Sequence, residues 1–298
     1  MTRVNQREDE PVRKLVTAIA AAAALVAIVV APASAVQGGT PDSGNLYPYV
    51  GLSVFYNANH EPLWRCSGTL ISNSVYLTAG HCTGLDPSDG AVPRFAQVWF
   101  SPGPIARGNY PGTGSCVGYT GYPCQGDVGG TPVPNPGWNG FFTLPNTHDD
   151  GVVLLDTPQN RGVAKLPPQG YLNTLARQRG QQNENFTIVG YGVQFERPNI
   201  EVAIRQRFIG MTQLQNLNNA LADGYQVLMT ASNGNGTGGS TTCFGDSGGP
   251  VFHTSPTGLQ YLVADISFGS KYCKGQSGAY RTDSAAARSF LGDFVSLP

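Results

Sequence analysis

Three residue types in this chain could do chemistry together, although they lie far apart in the sequence. Ser247 sits in Cys243-Phe244-Gly245-Asp246-Ser247-Gly248-Gly249-Pro250. Glycine on both sides lets the backbone turn sharply and lets a substrate approach closely. That suits a nucleophile whose neighbouring N–H groups face a developing oxyanion. A serine hydroxyl is a weak nucleophile at neutral pH and needs a base within hydrogen-bond reach. His81, in Leu77-Thr78-Ala79-Gly80-His81-Cys82, is the candidate, because imidazole titrates near the working pH. Thr147-His148-Asp149-Asp150-Gly151-Val152-Val153-Leu154-Leu155 then offers two adjacent carboxylates to orient the ring. Neighbouring side chains on a strand point to opposite faces, so only one of the two can meet His81.

Chain order separates two readings of the serine motif. Gly-x-Ser-x-Gly also marks the nucleophile elbow of α/β-hydrolases, which need an acid and then a histidine after the serine. The only histidine after Ser247 is His253, too close to serve. The order found is histidine, aspartate, serine. With all three motifs in that order, residues 36–295 resemble the chymotrypsin/trypsin family of serine proteases. The resemblance implies an all-β chain of two packed antiparallel six-stranded β-barrels with a C-terminal helix. It implies a secreted serine endopeptidase that works through an acyl-enzyme, with His81 as base, Asp149 as orienting acid and Ser247 as nucleophile. Asp149 is preferred to Asp150 because it puts Gly151 at the family's small position and Val152-Val153 at its apolar pair.

Further positions follow from the same resemblance. The N–H groups of Gly245 and Ser247 would form the oxyanion hole. Ser267-Phe268-Gly269 is similar to the family's Ser-Trp-Gly, whose serine supports the aspartate and whose backbone pairs with an extended substrate. Thr241 stands at the floor of the P1 pocket, where an arginine- or lysine-cleaving enzyme carries aspartate. Gly269 and Gly278 keep the pocket walls small. An uncharged P1 side chain, large and apolar, is therefore expected. Val36-Gln37-Gly38-Gly39 resembles the family's activated N-terminus, whose amine would pair with Asp246. The resemblance pairs Cys66 with Cys82 and Cys243 with Cys273, which leaves Cys116 with Cys124. Two other functions stay open: a non-catalytic binding homologue on the same fold, and an esterase using the same triad. A zinc site at Cys66, His81 and Cys82 lacks a fourth ligand at finger spacing, so no metal is expected.

The elements that must position these residues are short. Of 298 residues, 40% are hydrophobic, ample for a core, while 39 glycines and 22 prolines argue for many turns. Residues 1–35 read as a signal peptide: a basic lead, an apolar run from Leu15 to Ala31, and Ala33-Ser34-Ala35 as cleavage site. Strands are expected at Tyr49–Phe55, Ser67–Ile71, Val75–Thr78, Ala96–Phe100, Gly151–Asp156, Phe186–Gly192, Ala203–Phe208, Tyr225–Thr230, Gly249–His253 and Gln260–Phe268. A helix over Ser284–Val295 follows, capped by Thr282 or Asp283. The first barrel would span 36–160 and the second 161–298. Residues 101–145 are irregular, either a loop overhanging the cleft or a surface insertion without consequence. A net charge of −1 with no Lys/Arg run gives no electrostatic case for nucleic acid, and none is expected as partner. Polypeptide substrates, a monomer, no cofactor and no membrane association after signal removal are expected.

Overall fold

A computed structural model describes residues 36–105, 125–177, 184–198, 200–231 and 239–298. The expected signal peptide and the Cys116–Cys124 pairing lie outside the described residues. Fifteen strands run in order: β1 (Thr40–Pro41), β2 (Val50–Tyr56), β3 (Pro62–Leu70), β4 (Val75–Thr78), β5 (Phe95–Trp99), β6 (Val128–Pro134), β7 (Gly151–Leu155), β8 (Asn185–Gly190), β9 (Phe195–Arg197), β10 (Ile200–Val202), β11 (Phe208–Asn216), β12 (Gln226–Ala231), β13 (Pro250–Thr254), β14 (Gln260–Gly269) and β15 (Gly275–Arg281). Among the described residues, three short α-helices join them: α1 (Gly80–Thr83), α2 (Tyr171–Ala176) and α3 (Ala285–Leu291). None of the described helices is long and apolar enough to cross a membrane.

All main pairings are antiparallel, and they close twice. The order β2-β3-β4-β7-β6-β5 forms one six-stranded barrel. In the other, β11-β12-β15-β14-β13-β8 closes because β8 pairs back onto β11, with β1 added outside β11. Closure removes the free sheet edges that would otherwise invite aggregation. The N-terminal stretch expected in the first barrel thus lends its strand to the second. The closing strand β6 falls in the stretch that looked irregular. Its Pro132 and Pro134 disguise it, yet it pairs with β7 from Gly130↔Leu155 to Pro134↔Gly151. The strand expected at Ala203–Phe208 begins instead at Phe208, and β15 was not foreseen.

The barrels share a buried seam. Strand β2 is buried on both faces. Val50, Leu52, Val54 and Tyr56 pack in one cluster with Val189, Tyr191 and Phe252 of the second barrel and Phe290 and Leu291 of α3. Phe55 points the other way, into the first barrel with Tyr76, Val98 and Val153. Alternation still sorts the side chains, but both sides meet apolar partners. Each such side chain contributes about 1.5–3 kcal/mol on full burial. Helix α3 is capped by Ser284, whose hydroxyl accepts from Ala287 N–H at 3.1 Å, rather than by Thr282 or Asp283. Asp283 is used elsewhere: its carboxylate binds Arg281 and the N–H of Leu172 in α2.

Arg207 pins the seam. It is fully buried and donates to Asp42 at 2.7 Å, to the carbonyls of Val50 and Phe100 at 3.0 and 3.1 Å, and to Asn45. Removing one partner of such a buried ion pair strands the other charge, at about 3–5 kcal/mol. Arg207→Met should therefore lower unfolding free energy by about that much. The double variant Arg207→Met/Asp42→Leu should recover a substantial part, as read from urea denaturation midpoints.

Candidate active site

The histidine and the aspartate meet where two first-barrel segments cross. Strand β4 ends at Thr78 and the chain turns at once into α1, which carries His81. Asp149 lies just before β7, the partner of β4. Gly151 permits the approach, because a Cβ there would fall 2.1 Å from Thr83 Oγ1. Asp149 is fully buried and well satisfied. It accepts the main-chain N–H of His81 at 2.7 Å, and His81 Nδ1 lies 3.0 and 3.1 Å from its two oxygens. Ser267 of β14 donates to it from the other barrel at 2.5 Å. A carboxylate there favours the tautomer with its proton on Nδ1, leaving Nε2 free to accept. Asp150 turns away, its Oδ1 accepting from Asn135 at 2.7 Å.

Ser247 comes from the opposite side, in the loop before β13. Gly248 is what lets that loop touch the first barrel. Its φ is +74°, and a Cβ there would lie 2.0 Å from Thr78 Oγ1 and 2.5 Å from Ala79 N. Ser67 of β3 then fastens the two barrels: its N–H donates to Ser247 O and its hydroxyl to Gly245 O, both at 2.8 Å. The serine motif therefore has its carbonyls committed. Among the described residues, the N–H groups of Gly245 and Ser247 have no protein acceptor. Ser247 and His81 line the same two cavities, of about 550 and 240 Å³. Ser247 Oγ makes no hydrogen bond to the ring in this unliganded cleft, where catalytic contacts are often long.

Charge in the site is strongly biased. Burial would depress the His81 pKa, but the Asp149 charge and hydrogen bond outweigh it, and the net shift is upward. Behind Asp149 lie two more buried acids. Burial pushes Asp150 up to about 8, and its Oδ2 has no partner. Asp265 is raised well above the usual carboxylate range by burial and by the neighbouring charges of Asp150 and Asp149, with neither oxygen partnered. An isolated ionised carboxylate is too costly to bury, so such groups neutralise instead.

The remaining expected positions divide. The disulfides Cys66–Cys82 and Cys243–Cys273 are formed, which excludes these cysteines as metal ligands beside His81. Asp246 is buried and accepts N–H bonds from Cys243, Gly192 and Val36. Burial still lifts its pKa to about 7, against those bonds and the nearby charge of Arg65. Val36 is itself fully buried in the second-barrel core. Thr241 is buried, its N–H given to Gln37 O at 2.9 Å. Gly269 is exposed at the edge of the smaller cavity. Gly278 does not leave an open wall, because the Phe268 ring lies over it. Sequence reading missed Ser67, Trp138, Phe141 and Asp265. Trp138 and Phe141 stack edge-to-face at 4.8 Å, each with its ring centroid 6.0 Å from that of His81. They make the 135–145 stretch part of the cleft. Asp265 had a readable signal: a lone acid inside the apolar run from Tyr261 to Phe268.

Two closed antiparallel barrels with a histidine–aspartate pair and a glycine-flanked serine in the cleft between them define a chymotrypsin-like protein. Residues 136–290, just over half of the chain, match the family model described as Trypsin, and the chain belongs to that family. Similar proteins include the phenoloxidase-activating enzyme of Bombyx mori, 23% identical over 269 residues, covering 80% of this chain and 55% of that protein. Venom serine protease Bi-VSP of Bombus ignitus is 24% identical over 274 residues, covering 87% of this chain and 67% of its own. Melanization protease 1 of Drosophila melanogaster is 23% identical over 258 residues, with shares of 82% and 62%. The chain thus spans between half and two thirds of the length of these relatives. A solved HL collagenase structure shares the fold, with a TM-score of 0.57 at 17% identity over 86% of this chain and 97% of that one.

The raised acids make stability depend on pH. An acid whose folded pKa exceeds its unfolded value holds its proton more tightly when folded. Stability is then lost as pH rises from about 4, the ordinary value, through the folded pKa, here about 8. Asp150→Asn keeps an acceptor for Asn135 and removes the ionisation. Its melting temperature should exceed the wild type's at pH 8 by several degrees, at about 2–4 °C per kcal/mol, and by less at pH 5. Thermal melts at the two pH values measure this.

Proposed function

We propose that the chain is a secreted serine endopeptidase with His81, Asp149 and Ser247 as its triad. The observation that carries this reading is one cleft holding an imidazole oriented by a buried carboxylate, a serine on a tight glycine turn, and two uncommitted N–H groups beside that serine. In the reaction, Ser247 Oγ passes its proton to His81 Nε2 and attacks the peptide carbonyl. The oxyanion takes the N–H groups of Gly245 and Ser247, each such donor being worth about 2.7–4 kcal/mol in the transition state. The imidazolium, stabilised by Asp149, then protonates the leaving amine, and a water repeats the cycle on the acyl-enzyme.

Substrate binding has a natural place. Strand β14 pairs with β13 only as far as Asp265, while its pairing with β15 continues to Gly269. The backbone of Ser267–Gly269 is left with one free edge next to Ser247, and an extended peptide can add there as a strand. Thr241 and Thr242 put no charge near this position, so the P1 residue is uncharged. The two disulfides fit an oxidising compartment and hence secretion.

Activation follows from Val36. Its backbone N–H already reaches the buried Asp246. Cleavage after Ala35 would turn that amide into an ammonium and fix the carboxylate in its charged form. A chain starting at Val36 should show far more active sites by titration than one carrying residues before it. Equal titration of both forms would remove this part of the reading.

A fluorophosphonate probe should label the mature wild type and not Ser247→Ala. Absence of labelling in the wild type would leave the non-catalytic homologue standing instead. Asp149→Asn should lower kcat by about 10⁴-fold, as loss of the orienting acid does elsewhere, whereas Asp150→Asn should stay within a few-fold. Because Asp149 raises the His81 pKa, the acid limb of kcat/KM should lie above the ordinary histidine value of about 6.5. Comparing peptide with ester turnover separates endopeptidase from esterase.

A further inference from the structure

The smaller cavity is the one an acyl-side chain would enter. It runs along the free β14 edge, from Ser247 and His81 past Ser267, Phe268 and Gly269, with Thr242 and the Cys243–Cys273 disulfide as its other wall. One of its lining side chains, Phe268, reaches across to Gly278. Phe268 and Gly278 are direct partners across β14 and β15. A Cβ built on Gly278 would fall 2.3, 2.5 and 2.7 Å from Phe268 Cζ, Cε1 and Cε2. The tip of the ring therefore occupies the space that the glycine leaves. Neither Gly278 nor the deeper Thr241 lines the cavity. The ring is held from outside as well: Phe141 packs on it edge-to-face, centroids 6.2 Å apart, and Trp138 backs Phe141 at 4.8 Å. Gly269 stays clear, its nearest neighbour across the slot being Thr242 Oγ1 at 3.8 Å from a built Cβ. Phe268 thus fills the space beside Gly278, while Gly269 leaves its side of the slot clear.

We infer that Phe268 is the residue that sets P1 size, and that the enzyme cleaves after small side chains (glycine, alanine, serine). This rests on the endopeptidase reading and refines it: the uncharged P1 is kept, but the large apolar one expected from two wall glycines is not. A bulky P1 side chain would have to displace a ring wedged between Gly278 and Phe141, whereas a methyl group need not enter that far.

The test uses the mature wild type and Phe268→Ala with a peptide series that differs only at P1. The wild type should hydrolyse the alanine substrate with kcat/KM about tenfold or more above the phenylalanine and leucine ones, the range a few methylenes can discriminate. Phe268→Ala should reverse the order by emptying the depth of the slot. A fluorophosphonate-labelled wild type that prefers phenylalanine or leucine overturns this inference alone. An unlabelled wild type overturns the catalytic reading and this inference with it. A labelled Phe268→Ala whose P1 ratios match the wild type's also overturns it. Should Phe268→Ala lose its cooperative melt, the wild-type ratio decides by itself.

Discussion

Asp149 is a carboxylate buried without contact with water, and it must be satisfied from within the protein. It is met by the main-chain N–H and the ring of His81 on one side and by the Ser267 hydroxyl on the other. The first two donors belong to the first barrel and the third to the second. A charge that costs several kcal/mol to bury thus finds its full set of partners only when the barrels are docked. The same docking brings Ser247 into the cleft that His81 lines. The proposed catalytic geometry and barrel association are one structural condition here.

The seam is closed by small residues and by hydrogen bonds to carbonyls. Gly248 lets the serine loop lie against Thr78 and Ala79, and Ser67 takes up the carbonyls of Gly245 and Ser247. With those carbonyls committed inward, the N–H groups of Gly245 and Ser247 are left without a protein acceptor among the described residues. Arg207 does similar service further along, tying Asp42 to carbonyls of the first barrel. Polar groups that are not so satisfied stand out by contrast. Asp150 and Asp265 lie directly behind Asp149 with unpartnered oxygens, and protonation is the way burial resolves them. Keeping them neutral also avoids two further negative charges next to the carboxylate that orients His81.

Strands with β-branched and aromatic alternation, such as Val75–Thr78 and Gln260–Gly269, were readable almost to the residue. β6 was not, because a strand with two prolines and two glycines has no local preference to be strand; the barrel's need for a closing partner supplies it. The helix cap was misplaced by one or two positions because Asp283 is drawn to Arg281 and α2, leaving Ser284 to cap. Gly278 was read as a small pocket wall, but the Phe268 ring turns across the strand onto it.

Legible in the residues alone were the identity and order of the candidate reacting groups, the glycines around them, and the all-β character of the chain. These are properties of residue type and local spacing, and short-range sterics suffices to read them. Packing of the folded chain set which of two adjacent aspartates faces the imidazole, which serines bridge the barrels, which acids lose their charge and where the Phe268 ring lies. Each of those depends on atoms brought together from distant parts of the chain, where burial and close packing, rather than sequence neighbours, set the energy.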